Sequence, residues 1–79
     1  MKLKNAIIKR IKEIKNKDKL TQYEIFKRTG VPQSTISTLL KGETKTIQIS
    51  TLYSICSGLN INLCDFFNAD YLKNENLED

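Results

Sequence analysis

In the stretch GVPQSTISTLLKGE, Gly30 to Glu43, hydrogen-bonding side chains recur at helical spacing: Gln33, Ser34, Ser37 and Thr38, with Lys41 one step further. Glutamine presents a donor and an acceptor together, serine and threonine a hydroxyl each, and lysine a compact positive charge. Groups of this kind recognise a partner. Covalent chemistry would call for others, and they are missing: the chain has no histidine, its carboxylates are scattered, and no glycine-rich loop follows a strand pattern. No catalytic residue and no cofactor is therefore expected. Cys56 and Cys64, without a histidine, do not make a tetrahedral ligand set, so no metal is expected either. Each cysteine falls at an apolar position of a helical pattern and lacks a CxxC neighbour, which predicts two buried, reduced thiols.

These polar groups need a scaffold. Ile36, Leu39 and Leu40 lie behind them and predict a third helix from Gln33 to about Lys41, closed by Gly42. Hydroxyl-bearing and β-branched residues are mediocre helix formers, so packing must hold this segment. Before it, Thr21 and Glu24 form a capping-box pattern that starts a second helix at Gln22, with Ile25 and Phe26 as its anchors. Gly30 ends that helix, Val31 turns into the core, and Pro32 presets φ for the third.

Leu3, Ile7, Ile11 and Ile14 line one side of a first helix that ends in KNKDK. Leu52, Ile55, Cys56 and Leu59 predict a fourth over Ile49 to Leu59, with Asn60 suited to the left-handed position after it. Asn62, three residues before Asp65, begins a short fifth helix in which Leu63, Phe66 and Phe67 plug the core. Beyond Asn68 the periodicity is weak. This segment either frays or uses Tyr71, Leu72 and Leu77 to cover a partner chain. The expected organisation is all-α: five helices over residues 1–68 and an acidic tail over 69–79.

With 79 residues, 39% of them hydrophobic, the chain supports one core and one domain. Its net charge of +4 is uneven: +6 over residues 1–19, +2 over 20–45 and −4 over 46–79. A basic front suits a polyanion partner. Nothing approaches the roughly 18 consecutive apolar residues of a membrane span. The start is not a signal peptide, because AIIKRIKEI keeps inserting charge, and the expected location is the cytoplasm. The basic first helix has a core to join, so it is not read as a membrane-surface helix.

Two helices joined by a short glycine-containing turn match a helix-turn-helix. The runs LTQYEIFKRTGVPQSTISTLLKGE and ISTLYSICSGLNINLCDFF resemble the phage Cro and repressor type of this domain, also called the XRE type, over about Leu3 to Asn68. The resemblance implies a compact, lambda-repressor-like five-helix domain with Gln33 to Lys41 as recognition helix. It implies that Gln33, Ser34 and Thr38 reach base edges. Gln22, Thr35, Ser37, Lys41 and Lys45 would touch the DNA backbone, with Glu43 to Lys45 in the gripping stretch beyond the helix. Three departures stand out: Phe26 replaces the usual alanine, Lys15 and Leu40 replace an ion pair between the first and third helices, and Pro32 replaces a polar N-cap. At Phe26, either the interhelical angle opens or the ring turns toward the rest of the core.

Chemistry is compatible with these roles. A glutamine at a helix N-terminus suits adenine N6 and N7 in the major groove, and a good bidentate pair discriminates by about 1–3 kcal/mol. Amides beside Gln22 can hold a phosphate. Other readings stand beside them: Gln33 as a solvated first-turn residue, Ser37 bonded to its own helix carbonyl, Lys41 as a charge favourable to a helix C-terminus. Most first-helix lysines would supply field rather than contacts.

The expected partner is double-stranded DNA, at a palindromic operator read by a homodimer, because two-fold pairing places recognition helices in major grooves about 34 Å apart. The expected activity is transcriptional regulation, as a repressor. The alternative is a protein-interaction module, such as an antitoxin-like partner that keeps the shape. The exposure of Gln22, Gln33 and Lys41 discriminates between them.

Overall fold

The computed structural model describes residues 1–78; Asp79, the last acid of the tail, lies outside them. The helices are α1 (Leu3–Lys17), α2 (Gln22–Thr29), α3 (Gln33–Leu40), α4 (Ile49–Gly58) and α5 (Leu63–Phe66), followed by single 3-10 turns at Asp70–Leu72 and Asn74–Asn76. No strand occurs among the described residues. The five expected helices are present. Lys41 caps α3 and Leu59 caps α4, so both helices are one residue shorter than their periodicity suggests.

The helix ends follow from local backbone chemistry. Lys19 (φ 54°), Gly42 (φ 74°) and Asn60 (φ 58°) adopt the left-handed conformation after α1, α3 and α4. Each lets the next amide reach back and bond an orphaned carbonyl: Leu20 to Lys15 at 2.9 Å, Glu43 to Thr38 at 3.1 Å, Ile61 to Cys56 at 2.8 Å. Gly42 and Asn60 suit the task. Lys19 does not, because its Cβ crowds the carbonyl in this conformation.

The core gathers Ile7, Ile11 and Ile14 from α1, Ile25 from α2, Ile36 and Leu39 from α3, Leu52, Ile55 and Cys56 from α4, and Phe66 from α5, with Leu20, Val31 and Leu59 from the connections. Leu3 is 40% exposed, so the buried face of α1 begins one turn later than its spacing suggests, and it also takes in Ala6 and Ile8. Leu40 and Phe26 pack at the margin of the core, and the Phe26 ring sits 6.2 Å from that of Tyr23. Burial pushes the Cys56 thiol above its ordinary pKa, which keeps it neutral in this setting.

Cys64 departs from expectation, being exposed. The physical reason is the length of α5. One turn of helix presents only one residue squarely to the core, and Phe66 takes that place, fully buried, while Leu63 and Phe67 stay 39% and 38% exposed. Asn62 has the extended geometry of an N-cap but makes no side-chain cap bond. The carbonyls of α5 are gripped by Arg10, whose Nε donates to Phe66 O at 2.7 Å and whose Nη2 donates to Asp65 O at 2.9 Å.

After Asn68 the described residues form the two 3-10 turns at Asp70–Leu72 and Asn74–Asn76. This segment folds back along α1: the Tyr71 hydroxyl donates to Glu13, Lys9 Nζ lies 4.4 Å from the Tyr71 ring centroid, and Leu72 packs against the core. Burial, then the bond to Glu13, push the Tyr71 phenol up to about 12, so it remains a donor at neutral pH.

α4 crosses the end of α2 at Gly58. A β-carbon there would stand 2.5 Å from Arg28 O and 2.6 Å from Thr29 Cα, both backbone atoms. Gly58→Ala should therefore lower stability by about 1–3 kcal/mol in denaturant titration, although alanine is the better helix former. Lys19→Gly should raise it by about 0.5–1 kcal/mol in the same measurement, by relieving the left-handed lysine.

Candidate nucleic-acid interface

The site begins at the N-terminus of α2. Thr21 Oγ1 accepts from Glu24 N–H at 3.1 Å and Glu24 Oε1 accepts from Thr21 N–H at 2.9 Å, the reciprocal box that the sequence pattern predicts. The bond from the Thr21 amide, then the one from its hydroxyl, hold the Glu24 carboxyl below its ordinary value. Gln22 follows directly and is half-buried. Its Nε2 donates to Gln33 O at 3.3 Å, tying the start of α2 to the start of α3.

The turn between these helices is fastened by one threonine. Thr29 Oγ1 donates to Ile25 O at 2.7 Å and accepts from Val31 N–H at 3.1 Å, while Gly30, at φ 75°, bonds its amide to Phe26 O at 2.9 Å. Val31 is buried and Pro32 opens α3 without a side-chain cap. First-turn amides left without a side-chain cap are donors suited to anionic or carbonyl partners.

On α3, Gln33, Ser34 and Thr38 are exposed, Thr35 and Ser37 are half-buried, and Lys41 and Lys45 are exposed beyond the helix. The structure thus brings the three expected base-reading residues onto open surface, with Gln22 at one end and the two lysines toward the other. The bond back to the preceding turn, one reading of Ser37, is made by Thr38, whose Oγ1 donates to Ser34 O at 2.8 Å. Thr38 then faces a partner mainly as an acceptor and a methyl group.

Sequence reasoning stopped at Lys45 and missed the next residues. A groove of about 410 Å³ runs between α3 and the start of α4, lined by Ser34, Thr35 and Thr38 on one side and by Thr44, Thr46 and Thr51 on the other. The signal was available as the threonine-rich run ETKTIQIST. What could not be read is that the loop doubles back beside α3. The acidic segment lies along α1 and leaves Gln33, Ser34, Thr38 and Lys41 open. Among the described residues no group of three or more His, Cys, Asp or Glu could hold a metal ion, and no helix is long and apolar enough to cross a membrane.

Two short helices across a glycine turn, the second presenting an open polar face from a five-helix core, define a helix-turn-helix protein. Residues 10–70 match the Cro/C1-type HTH DNA-binding domain, and the chain belongs to that family. Membership implies interaction with DNA and a role in transcription. No curated protein and no solved structure gives a match.

The capping box is testable through pH. A carboxyl held below its ordinary value of 4.5 contributes stability that is present above that value and lost as pH falls through the lower, folded-state pKa. Thr21→Ala should cost about 1 kcal/mol at neutral pH, and its deficit against the parent chain should shrink in acid, as read by thermal unfolding across pH.

Proposed function

We propose that the protein is a sequence-specific transcriptional regulator, acting as a repressor, that reads the major groove through Gln33, Ser34 and Thr38. Gln22, Thr35, Ser37, Lys41 and Lys45 grip the DNA backbone on either side. It works in the cytoplasm as a homodimer on a palindromic operator. The observation that carries this reading is the open N-terminal half of α3, with Gln33 exposed and its carbonyl held by Gln22. A glutamine whose backbone is anchored while its amide stays free can be aimed at one base, and adenine supplies the matching edge. The antitoxin-like alternative needs this surface covered by protein. Within the chain it is not.

Selection from a randomised duplex library, followed by titration at several salt concentrations, tests the proposal. The expected result is an enriched palindrome, with Gln33→Ala losing about 1–3 kcal/mol on that site and little on scrambled DNA. Lys41→Ala should weaken both sites alike and reduce the salt slope by about one. Weak binding equal on all sequences would reject specific recognition by this chain.

A further inference from the structure

Gly30, Val31 and Pro32 separate α2 from α3, and the turn they make is weakly restrained by its own atoms. Gly30 sits at φ 75°, and among the described residues nothing beyond its chain neighbours lies within 4 Å of where its β-carbon would stand. Pro32 has no amide to donate. A groove of about 240 Å³ lies between the turn and Ser50, Thr51 and Ser54 of α4, so on that side the turn overhangs small polar side chains rather than packed apolar ones. Val31 is buried, as are Ile36 and Leu39 further along, but apolar contact is non-directional: it sets how deep α3 sits more than which way it points. Direction falls to the hydroxyl of Thr29. Its Oγ1 donates to Ile25 O at 2.7 Å, within α2, and accepts from Val31 N–H at 3.1 Å, beyond the glycine. The aim of that hydroxyl is fixed from behind, since Thr29 Cγ2 lies 2.7 Å from the place a β-carbon of Gly58 would occupy.

We propose that Thr29 is a positioning residue for base reading: without touching DNA, its hydroxyl aims α3 so that Gln33, Ser34 and Thr38 meet base edges together. The proposal rests on the DNA-reading role of those three side chains and names what orients them. Thr29 itself is half-buried, with its hydroxyl engaged on both sides of the turn. Base edges and phosphates differ in the accuracy they demand. A bidentate pair with a base needs its side chain held within about 0.5 Å and about 10–20° of the productive geometry. α3 has eight residues and is about 12 Å long, so a tilt of about 10° moves its far end by about 2 Å. Lysines such as Lys41 and Lys45 follow a phosphate through such a shift on flexible stems. Losing the hydroxyl therefore costs discrimination between sequences and leaves the general attraction to DNA in place. A threonine that merely supported the fold would cost both alike, or neither.

The test uses the full chain with Thr29→Val, which keeps the shape and removes the hydroxyl, Thr29→Ser, which keeps the hydroxyl, and Leu72→Ala, a change at the margin of the core outside the helix-turn-helix. Circular dichroism confirms that each is folded, and each is titrated against the selected operator and a scrambled duplex at several salt concentrations. The expected result is that Thr29→Val loses about ten- to a hundredfold on the operator, with scrambled-duplex affinity and salt slope unchanged, while Thr29→Ser and Leu72→Ala keep the parent's preference. A folded Thr29→Val that discriminates like the parent overturns the proposal, as does one that weakens equally on both duplexes. So does an equal loss of preference in Thr29→Ser or Leu72→Ala, which would assign the effect to packing or to general stability. If Thr29→Val does not fold, Thr29→Ala repeats the hydroxyl deletion with a better helix former and is judged by the same outcomes. In the parent chain the Val31 amide should exchange slowly with solvent, and exchange at the rate of an unbonded amide overturns the proposal as well. A parent chain without sequence preference rejects the DNA-reading proposal and this one with it. That result is distinct from the others, all of which require a parent that discriminates.

Discussion

The contact on which the reading surface depends is the crossing of α4 over the end of α2, where Gly58 lies against the backbone of Arg28 and Thr29. With no side chain at Gly58, α4 comes close enough for Leu52, Ile55 and Cys56 to join Ile25 in one core. That crossing backs the residue whose hydroxyl fastens the turn. Thr29 bonds backward to Ile25 and forward to Val31, which fixes the direction in which the chain leaves α2 and so the direction of α3. The orientation of the polar face is thus set by a backbone contact remote from it.

α3 itself is a poor helix by composition. Five of its eight residues are serine, threonine or glutamine, and it has neither a polar N-cap nor a basic residue in its last turn. Ile36 and Leu39 bury against the other helices and supply what propensity does not. The outcome is a narrow helix whose outer side carries small polar groups, and those groups can approach a groove floor without a large side chain in the way.

Charge is divided among the surfaces in a way that separates their tasks. α1 is strongly basic, the segment from Thr46 to Cys64 is neutral, and the acidic residues collect after it. The closing segment returns to α1, where Tyr71 meets Lys9 and Glu13, so part of the negative charge sits beside the positive helix and away from α3. Arg10 joins the same two ends by gripping the carbonyls of Asp65 and Phe66. An arginine is suited to this because its planar fork can serve two acceptors at once.

By itself the sequence determined the five helices and, to within one residue at the ends of α3 and α4, their limits, because these rest on interactions only three to five residues long. Thr21 and Glu24 find each other within one turn, and Gly30, Gly42 and Asn60 end helices through their own backbone freedom. The resemblance carried by LTQ, Gly30, Val31 and the Gln33 helix likewise made the family legible, along with the residues expected to face DNA. Left to the tertiary structure were the matters of direction. Periodicity assigned Cys64 to the core, yet a one-turn helix could turn only Phe66 inward. Weak periodicity in the tail hid its return to α1, since a single anchor such as Leu72 has no pattern to repeat. Neither the threonine groove beside α3 nor the groove between α4 and the start of α5 could be read in advance, because each joins side chains from separate elements, and only packing sets which elements lie side by side.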